Sequence, residues 1–234
     1  MPFDPDLTAP PLHLLLMESR IAAEFAGFTL RARALRRSLP RGSGQPVMIV
    51  PGFGASDAQL MPMLKLLDAL GFVARGWGQG RNLGMRRELR ERLADRLQAL
   101  HQAHGPVTLV GWSLGGVFVR EMARHQPQAV RRVITLGSPI NGHPDANNML
   151  PLFRLANRGK PPASDIAGFT RRIAPPPVPC TAVYTRRDGI VAWQACREDP
   201  APNTENLEVR GSHFGLPFNP QVARIIAERL VRGD

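Results

Sequence analysis

The stretch VTLVGWSLGGVF, residues 107–118, constrains the fold more tightly than any other part of the chain. Val107, Leu109 and Val110 read as a strand buried on both faces, the habit of a parallel sheet. From Leu114 onward (LGGVFVREMARH) the apolar residues at 114, 117, 118 and 122 predict a helix. Ser113 therefore falls on the turn between the two. A turn this tight strains its central residue, and side chains at 111 and 115 would strike neighbouring backbone. Gly111 and Gly115 remove those collisions, and Gly116 lets the helix pack closely. The expectation is a nucleophile elbow, with the Ser113 hydroxyl held proud of the sheet. The Leu114 N–H then points where an oxyanion would form. A plain glycine-rich turn is the alternative, and the strand before and helix after argue against it.

A parallel sheet needs crossover helices, and the remaining sequence supplies them. Strands are expected at VMIV (47–50), FVARGW (72–77), VTLVGW (107–112), RRVITLG (131–137), CTAVYT (180–185) and NLEVRG (206–211). Helices are expected near 57–70, 85–103, 114–125 and 220–232, with two short ones within 145–173. This alternation predicts an α/β fold, a mostly parallel sheet of about six strands with helices on both faces.

Such sheets bind ligands at the carboxyl ends of their strands, so the residues there carry the functional argument. Strand 47–50 runs into Pro51-Gly52-Phe53-Gly54. Pro51 has no N–H to donate, Gly52 permits a sharp turn, and the Phe53 N–H is freed as the second donor of an oxyanion hole. Strand 180–185 runs into Thr185-Arg186-Arg187-Asp188-Gly189, and strand 206–211 into Gly211-Ser212-His213-Phe214-Gly215. The order Ser…Asp…His, each member following a strand, predicts a catalytic triad: His213 takes the Ser113 proton, and Asp188 fixes the imidazole tautomer. Taken singly, an Asp-Gly pair is an ordinary turn and a histidine an ordinary structural residue. Their joint placement is what speaks for function. The other histidines fit less well. His101, His104 and His125 sit at helix C-termini, where the dipole favours them, and His13 lies in the N-terminal segment. His143, in NGHPD, is the rival base, and Asp145 the rival acid. His143 precedes Asp188 and suits a lid or substrate wall better.

A chain of 234 residues suits one domain with a sizeable core. Its net charge of +11 is nearly all arginine, since Lys65 and Lys160 are the only lysines. Compositional bias is the simplest account; attraction to an anionic membrane surface is the functional alternative. Nucleic acid is not expected as a partner, because the arginines are scattered and no recognition motif accompanies them. No apolar run is long enough to span a bilayer. The start MPFDPDLTAPP has two acids and no basic region, unlike a signal peptide, which leads to the expectation of a cytoplasmic protein. Residues 12–39 form an amphipathic helix with basic residues toward its C-terminal end, either docked on the domain or lying in a membrane interface, docking being preferred.

Cys180 and Cys196 fit no metal spacing and read as buried thiols, with a disulfide the lesser alternative. GWGQGRNLG (76–84) departs from G-x-G-x-x-G at Leu83, and Gly159-Lys160 is followed by proline. No cofactor or metal is expected.

Pro51-Gly52-Phe53-Gly54, Gly-Trp-Ser-Leu-Gly at 111–115, Asp188 and His213 together resemble the α/β-hydrolase superfamily, and within it the small bacterial lipases and esterases. Those enzymes keep the parallel core and lack the early antiparallel strands. The resemblance covers residues 45–232 and implies Ser113 as nucleophile, Asp188 as acid, His213 as base, and Phe53 with Leu114 as oxyanion donors. Many lipases have His-Gly where this chain has Pro51-Gly52. The resemblance also implies a division into an N-terminal helical segment, 1–44, and a hydrolase domain, 45–234, whose insertion at 141–173 is a small cap. Met149, Leu150, Leu152, Phe153 and Leu155 are expected to line the inner face of a cap helix. Trp112, His143, Met149 and Phe153 are the candidates for the substrate pocket, although for Trp112 the role of core filler is preferred. The activity implied is carboxylic-ester hydrolysis through a Ser113 acyl-enzyme on an apolar or lipid-like ester. Acyl transfer by the same triad, or a binding protein retaining the fold, are the alternatives.

Overall fold

A computed structural model of the chain describes residues 7–141, 146–156 and 173–232. Its six strands are β1 (Pro46–Val50), β2 (Val73–Gly76), β3 (Val107–Trp112), β4 (Val130–Leu136), β5 (Cys180–Tyr184) and β6 (Thr204–Glu208). They form one sheet in the order β2-β1-β3-β4-β5-β6, with every neighbouring pair parallel. Each crossover needs a helix. The helices are α1 (Leu12–Leu16), α2 (Ile21–Ser38), α3 (Asp57–Ala69), α4 (Arg87–His104), α5 (Leu114–His125), α6 (Leu150–Ala156) and α7 (Pro220–Val231).

The period-two alternation of strand side chains sorts the core into two layers. Val47 and Ile49 of β1, Val110 and Trp112 of β3 and Val183 of β5 pack against α3 and α7 on one face. Met48 and Val50 of β1 with Val107 and Leu109 of β3 pack against α4 and α5 on the other. Local signals start the helices: Ser56 and Gln59 make a reciprocal capping box at α3, and the Asn219 side chain accepts from Gln221 N–H at α7, with Pro220 in the first turn. A buried ion pair joins Arg120 of α5 to Glu198, after β5, and Arg120 also donates to the carbonyls of Ile173 and Ala174, before β5. Burial pushes the Arg120 guanidinium down to about 10.

Three segments differ from the sequence expectation. The single helix expected over 12–39 is broken: α1 and α2 are joined by a 3₁₀ turn, Met17–Arg20, which buries Glu18. This segment docks on the domain, with Phe28, Leu35 and Leu39 in the α3–α7 layer and the Phe25 ring edge-on to Phe218. β6 begins and ends earlier than NLEVRG, because it is a half-exposed edge strand whose pairing starts at Thr204 opposite Cys180. In α6, Leu150 is buried while Leu152 and Leu155 are exposed, so these five apolar residues do not share an inner face. Positions 150 and 153 fall on one side of so short a helix and 152 and 155 on another. The second short helix expected before residue 173, and His143 and Asp145, lie outside the described residues. Among the described residues no helix is long and apolar enough to cross a membrane.

Candidate active site

Because all strands run the same way, the loops after β1, β3, β4, β5 and β6 meet at one edge of the sheet. Ser113 follows β3 with φ 53° and ψ −122°, and is the one non-glycine residue with positive φ among those described. Its neighbours show what permits this. A Cβ at Gly111 would collide with the backbone of Gly115 and Gly116; one at Gly115 with the carbonyls of Val50 and Pro51; one at Gly116 with the Ser138 side chain. The glycines thus let α5 start almost in contact with both β1 and β3. Ser113 N–H donates to Leu136 O at 2.8 Å, and Ser113 O accepts from Gly116 N–H at 2.9 Å.

Asp188 and His213 meet across the loops after β5 and β6. His213 Nδ1 lies 2.7 Å from Asp188 Oδ2, and both residues are buried. The other carboxylate oxygen, Oδ1, accepts Ile190 N–H at 2.8 Å and Val191 N–H at 2.7 Å. With both oxygens engaged, the carboxylate is fixed in orientation, and the pairing leaves His213 Nε2 as the ring nitrogen not held by Asp188. The Thr185 hydroxyl donates to Gly211 O at 2.9 Å, tying the two loops together just before the pair. Trp112, adjacent to Ser113, donates its indole N–H to His213 O at 3.1 Å, with the rings 6.0 Å apart. The serine and histidine loops are joined through this bond, and Trp112 is buried in the core layer beneath α3 and α7. Among the described residues the Ser113 hydroxyl and His213 Nε2 make no hydrogen bond to each other or to any other group.

The two candidate oxyanion donors are also available: among the described residues neither Phe53 N–H nor Leu114 N–H has an acceptor. The Phe53 ring lies 5.2 Å from that of Phe153, at the base of α6. Met149 is half-buried, its N–H bonded to Asn147 Oδ1. Thus Phe53, Phe153 and Met149 are brought to the same edge as Ser113, Asp188 and His213.

Two supporting residues have no motif that announces them. Asn82 is fully buried and holds the 51–54 loop from beneath. Its side-chain amide donates to Pro51 O at 2.8 Å, its carbonyl accepts Gly54 N–H at 2.7 Å, and its own N–H donates to Ala55 O at 2.8 Å. Gly137, after β4, has φ +56°, and a Cβ there would lie 3.0 Å from His213 Nδ1 and 3.1 Å from Asp188 Oδ2. Only a glycine leaves room for the Asp188–His213 pair.

The thiols do not compete for this site. Both cysteines are free and buried, so the disulfide alternative is not realised. Burial pushes the Cys180 thiol up to about 11, and burial with the nearby Asp188 pushes Cys196 upward too. Neither is a ready thiolate nucleophile. Among the described residues no cluster of histidine, cysteine, aspartate or glutamate could hold a metal.

Comparison with known proteins agrees with this architecture. No curated protein matches the chain in sequence. Among solved structures it is similar to a pyrethroid hydrolase from Sphingobium faniae, at 20% identity and TM-score 0.56, covering 80% of this chain and 97% of that one. It is also similar to a monoacylglycerol lipase from Paleococcus ferrophilus, at 18% identity and TM-score 0.57, covering 80% and 96%. A metagenome-derived lipolytic enzyme superimposes at 14% identity and TM-score 0.61, covering 81% and 93%. These identities establish a shared fold. The family model described as the alpha/beta hydrolase fold matches residues 45–163, half of the chain, and the protein belongs to the α/β-hydrolase fold family.

Proposed function

We propose that the protein is a serine carboxylic-ester hydrolase acting on an apolar or lipid-like ester. The observation that carries this reading is the buried Asp188–His213 hydrogen bond, 2.7 Å long, on the sheet edge where Ser113 sits at φ 53°. In this reading His213 Nε2 accepts the Ser113 proton as Oγ attacks the ester carbonyl, and Asp188 steadies the imidazolium. The oxyanion of the tetrahedral intermediate is stabilised by Phe53 N–H and Leu114 N–H. The alcohol leaves with the proton from His213, giving an acyl-Ser113 ester. Water, deprotonated by His213, then attacks that ester and releases the acid. The apolar character of the substrate is supported by Phe53 and Phe153 beside the oxyanion loop and by the exposed Leu152 and Leu155 on α6.

A fluorophosphonate followed by a chain-length series of p-nitrophenyl esters tests the proposal. Ser113 should be labelled, Ser113→Ala should not, and Asp188→Asn should lose roughly 10⁴-fold in kcat. Labelling without turnover would move the assignment to acyl transfer; no labelling would move it to a binding protein.

We further propose peripheral association with anionic membranes. The helices α1 and α2 leave Leu12, Leu16 and Leu30 exposed beside the exposed Arg31, Arg33, Arg36 and Arg37.

A further inference from the structure

Two carboxylates from the N-terminal helices reach into the loops that carry Asp188 and His213. Glu18, in the 3₁₀ turn between α1 and α2, is only 4% exposed. Its Oε1 accepts two backbone donors at 2.9 Å each: Gly189 N–H, next to Asp188, and the N–H of His213 itself. Its Oε2 accepts Phe214 N–H, also at 2.9 Å. Glu24, on α2, accepts Ser212 N–H at 2.9 Å and the Ser212 hydroxyl proton. The Ser212 Oγ accepts Gly215 N–H at 3.0 Å. Four consecutive amides, from Ser212 to Gly215, are thereby occupied, and three of them end on carboxylates outside residues 45–163. The fit is close on the other loop too, since a Cβ on Gly189 would collide with the Leu14 backbone.

One oxygen atom, Glu18 Oε1, is therefore bonded to both sides of the acid–base pair. Hydrogen bonds to a charged acceptor are the stronger kind, and buried donors that lose their acceptor are costly. Neither loop can shift relative to the other without stretching a bond to that single atom. We propose that Glu18, with Glu24 in support, is a positioning residue for the Asp188–His213 pair, so that the N-terminal helical segment is part of the active site. Glu18 acts through the loop backbone and does not touch the reacting atoms. The proposal rests on reading Asp188 and His213 as acid and base.

Glu18→Gln in the full chain is the decisive variant. It keeps the volume but has one acceptor oxygen; with that oxygen in the Oε1 position, its NH₂ faces Phe214 N–H, donor against donor. A displacement near 1 Å costs on the order of a hundredfold in rate, so a fall of roughly ten- to a hundredfold in kcat is expected, with KM within about twofold. The far-downfield proton resonance of the His213 Nδ1–H···Asp188 bond should weaken or move, and fluorophosphonate labelling should slow by the same factor as kcat. Unchanged kcat together with an unchanged resonance in a folded Glu18→Gln protein overturns the proposal. Should that variant fail to fold, Glu24→Gln, which loosens only Ser212, decides: a smaller fall in kcat at constant KM supports the proposal, and no fall overturns it. The resonance reports the pair whether or not an ester is turned over. A wild-type protein that shows it and cleaves no ester would sink the hydrolase reading while leaving the clamp to be judged on the resonance of the variants.

Discussion

Ser113 is held at a backbone conformation that costs about 1–3 kcal/mol for a residue with a side chain, and its surroundings prevent its relaxation. Gly111 and Gly115 supply the room, as their hypothetical Cβ atoms would strike backbone that has nowhere to go. Gly137 does the same service for the Asp188–His213 pair. Gly137→Ala adds one methyl group about 3 Å from both His213 Nδ1 and Asp188 Oδ2, at a φ of +56°. The expected outcome is a destabilisation of about 1–3 kcal/mol in urea unfolding. The loss in kcat/KM should be larger, on the order of a hundredfold, because the methyl group pushes on the hydrogen bond itself. Equal small losses in stability and rate would show that the pair has slack. Ser113 was legible in the sequence because a tight strand-to-helix turn demands glycines at fixed offsets. Gly137 was not, since its need for a missing side chain arises from His213, 76 positions further along, and leaves no local trace.

At the scale of elements, the strands leading to Phe53, Ser113, Asp188 and His213 could be found from apolar runs and the residues after them, although β6 ends earlier than the sequence suggests. What holds the loops in place could not be read so. The stretch 76–84 looks like a failed phosphate loop in the sequence, yet in the fold its Asn82 grips Pro51 and Gly54 across 31 and 28 positions. Asn82→Ala, which removes the side-chain bond to Pro51 O and keeps the main-chain bonds to Gly54 and Ala55, should loosen the Phe53 amide while leaving β1 and α3 intact. A fall in kcat of roughly ten- to a hundredfold with little change in KM is expected, since oxyanion donors act on the transition state. A rise in KM alone would place Asn82 in substrate binding. The helix breaks, too, were hidden: periodicity over 12–39 gives no warning of the 3₁₀ turn at Met17–Arg20, because that turn is imposed by where Glu18 must point. A buried carboxylate on an amphipathic helix looks, in sequence, like any solvated one.

For the molecule as a whole, the charge of +11 is an arginine charge, and α2 presents four arginines near the exposed Leu30. If this surface meets lipid, the protein should sediment with vesicles containing anionic phospholipid and be released as salt shortens the screening length to a few ångströms. Equal binding to neutral vesicles, or none to either, would leave composition as the full account of the charge. The bonds of Glu18 and Glu24 to the acid and base loops also span 171 to 196 positions. Contacts so distant along a chain form late, because closing the intervening loop costs entropy before it returns anything. On the ribosome, Glu18 emerges long before His213, and its carboxylate must wait without its partners until β5 and β6 have been laid down. An incompletely made chain would thus own a serine but no assembled Asp188–His213 pair, and whatever chemistry the site performs would arrive together with the final closure of the fold.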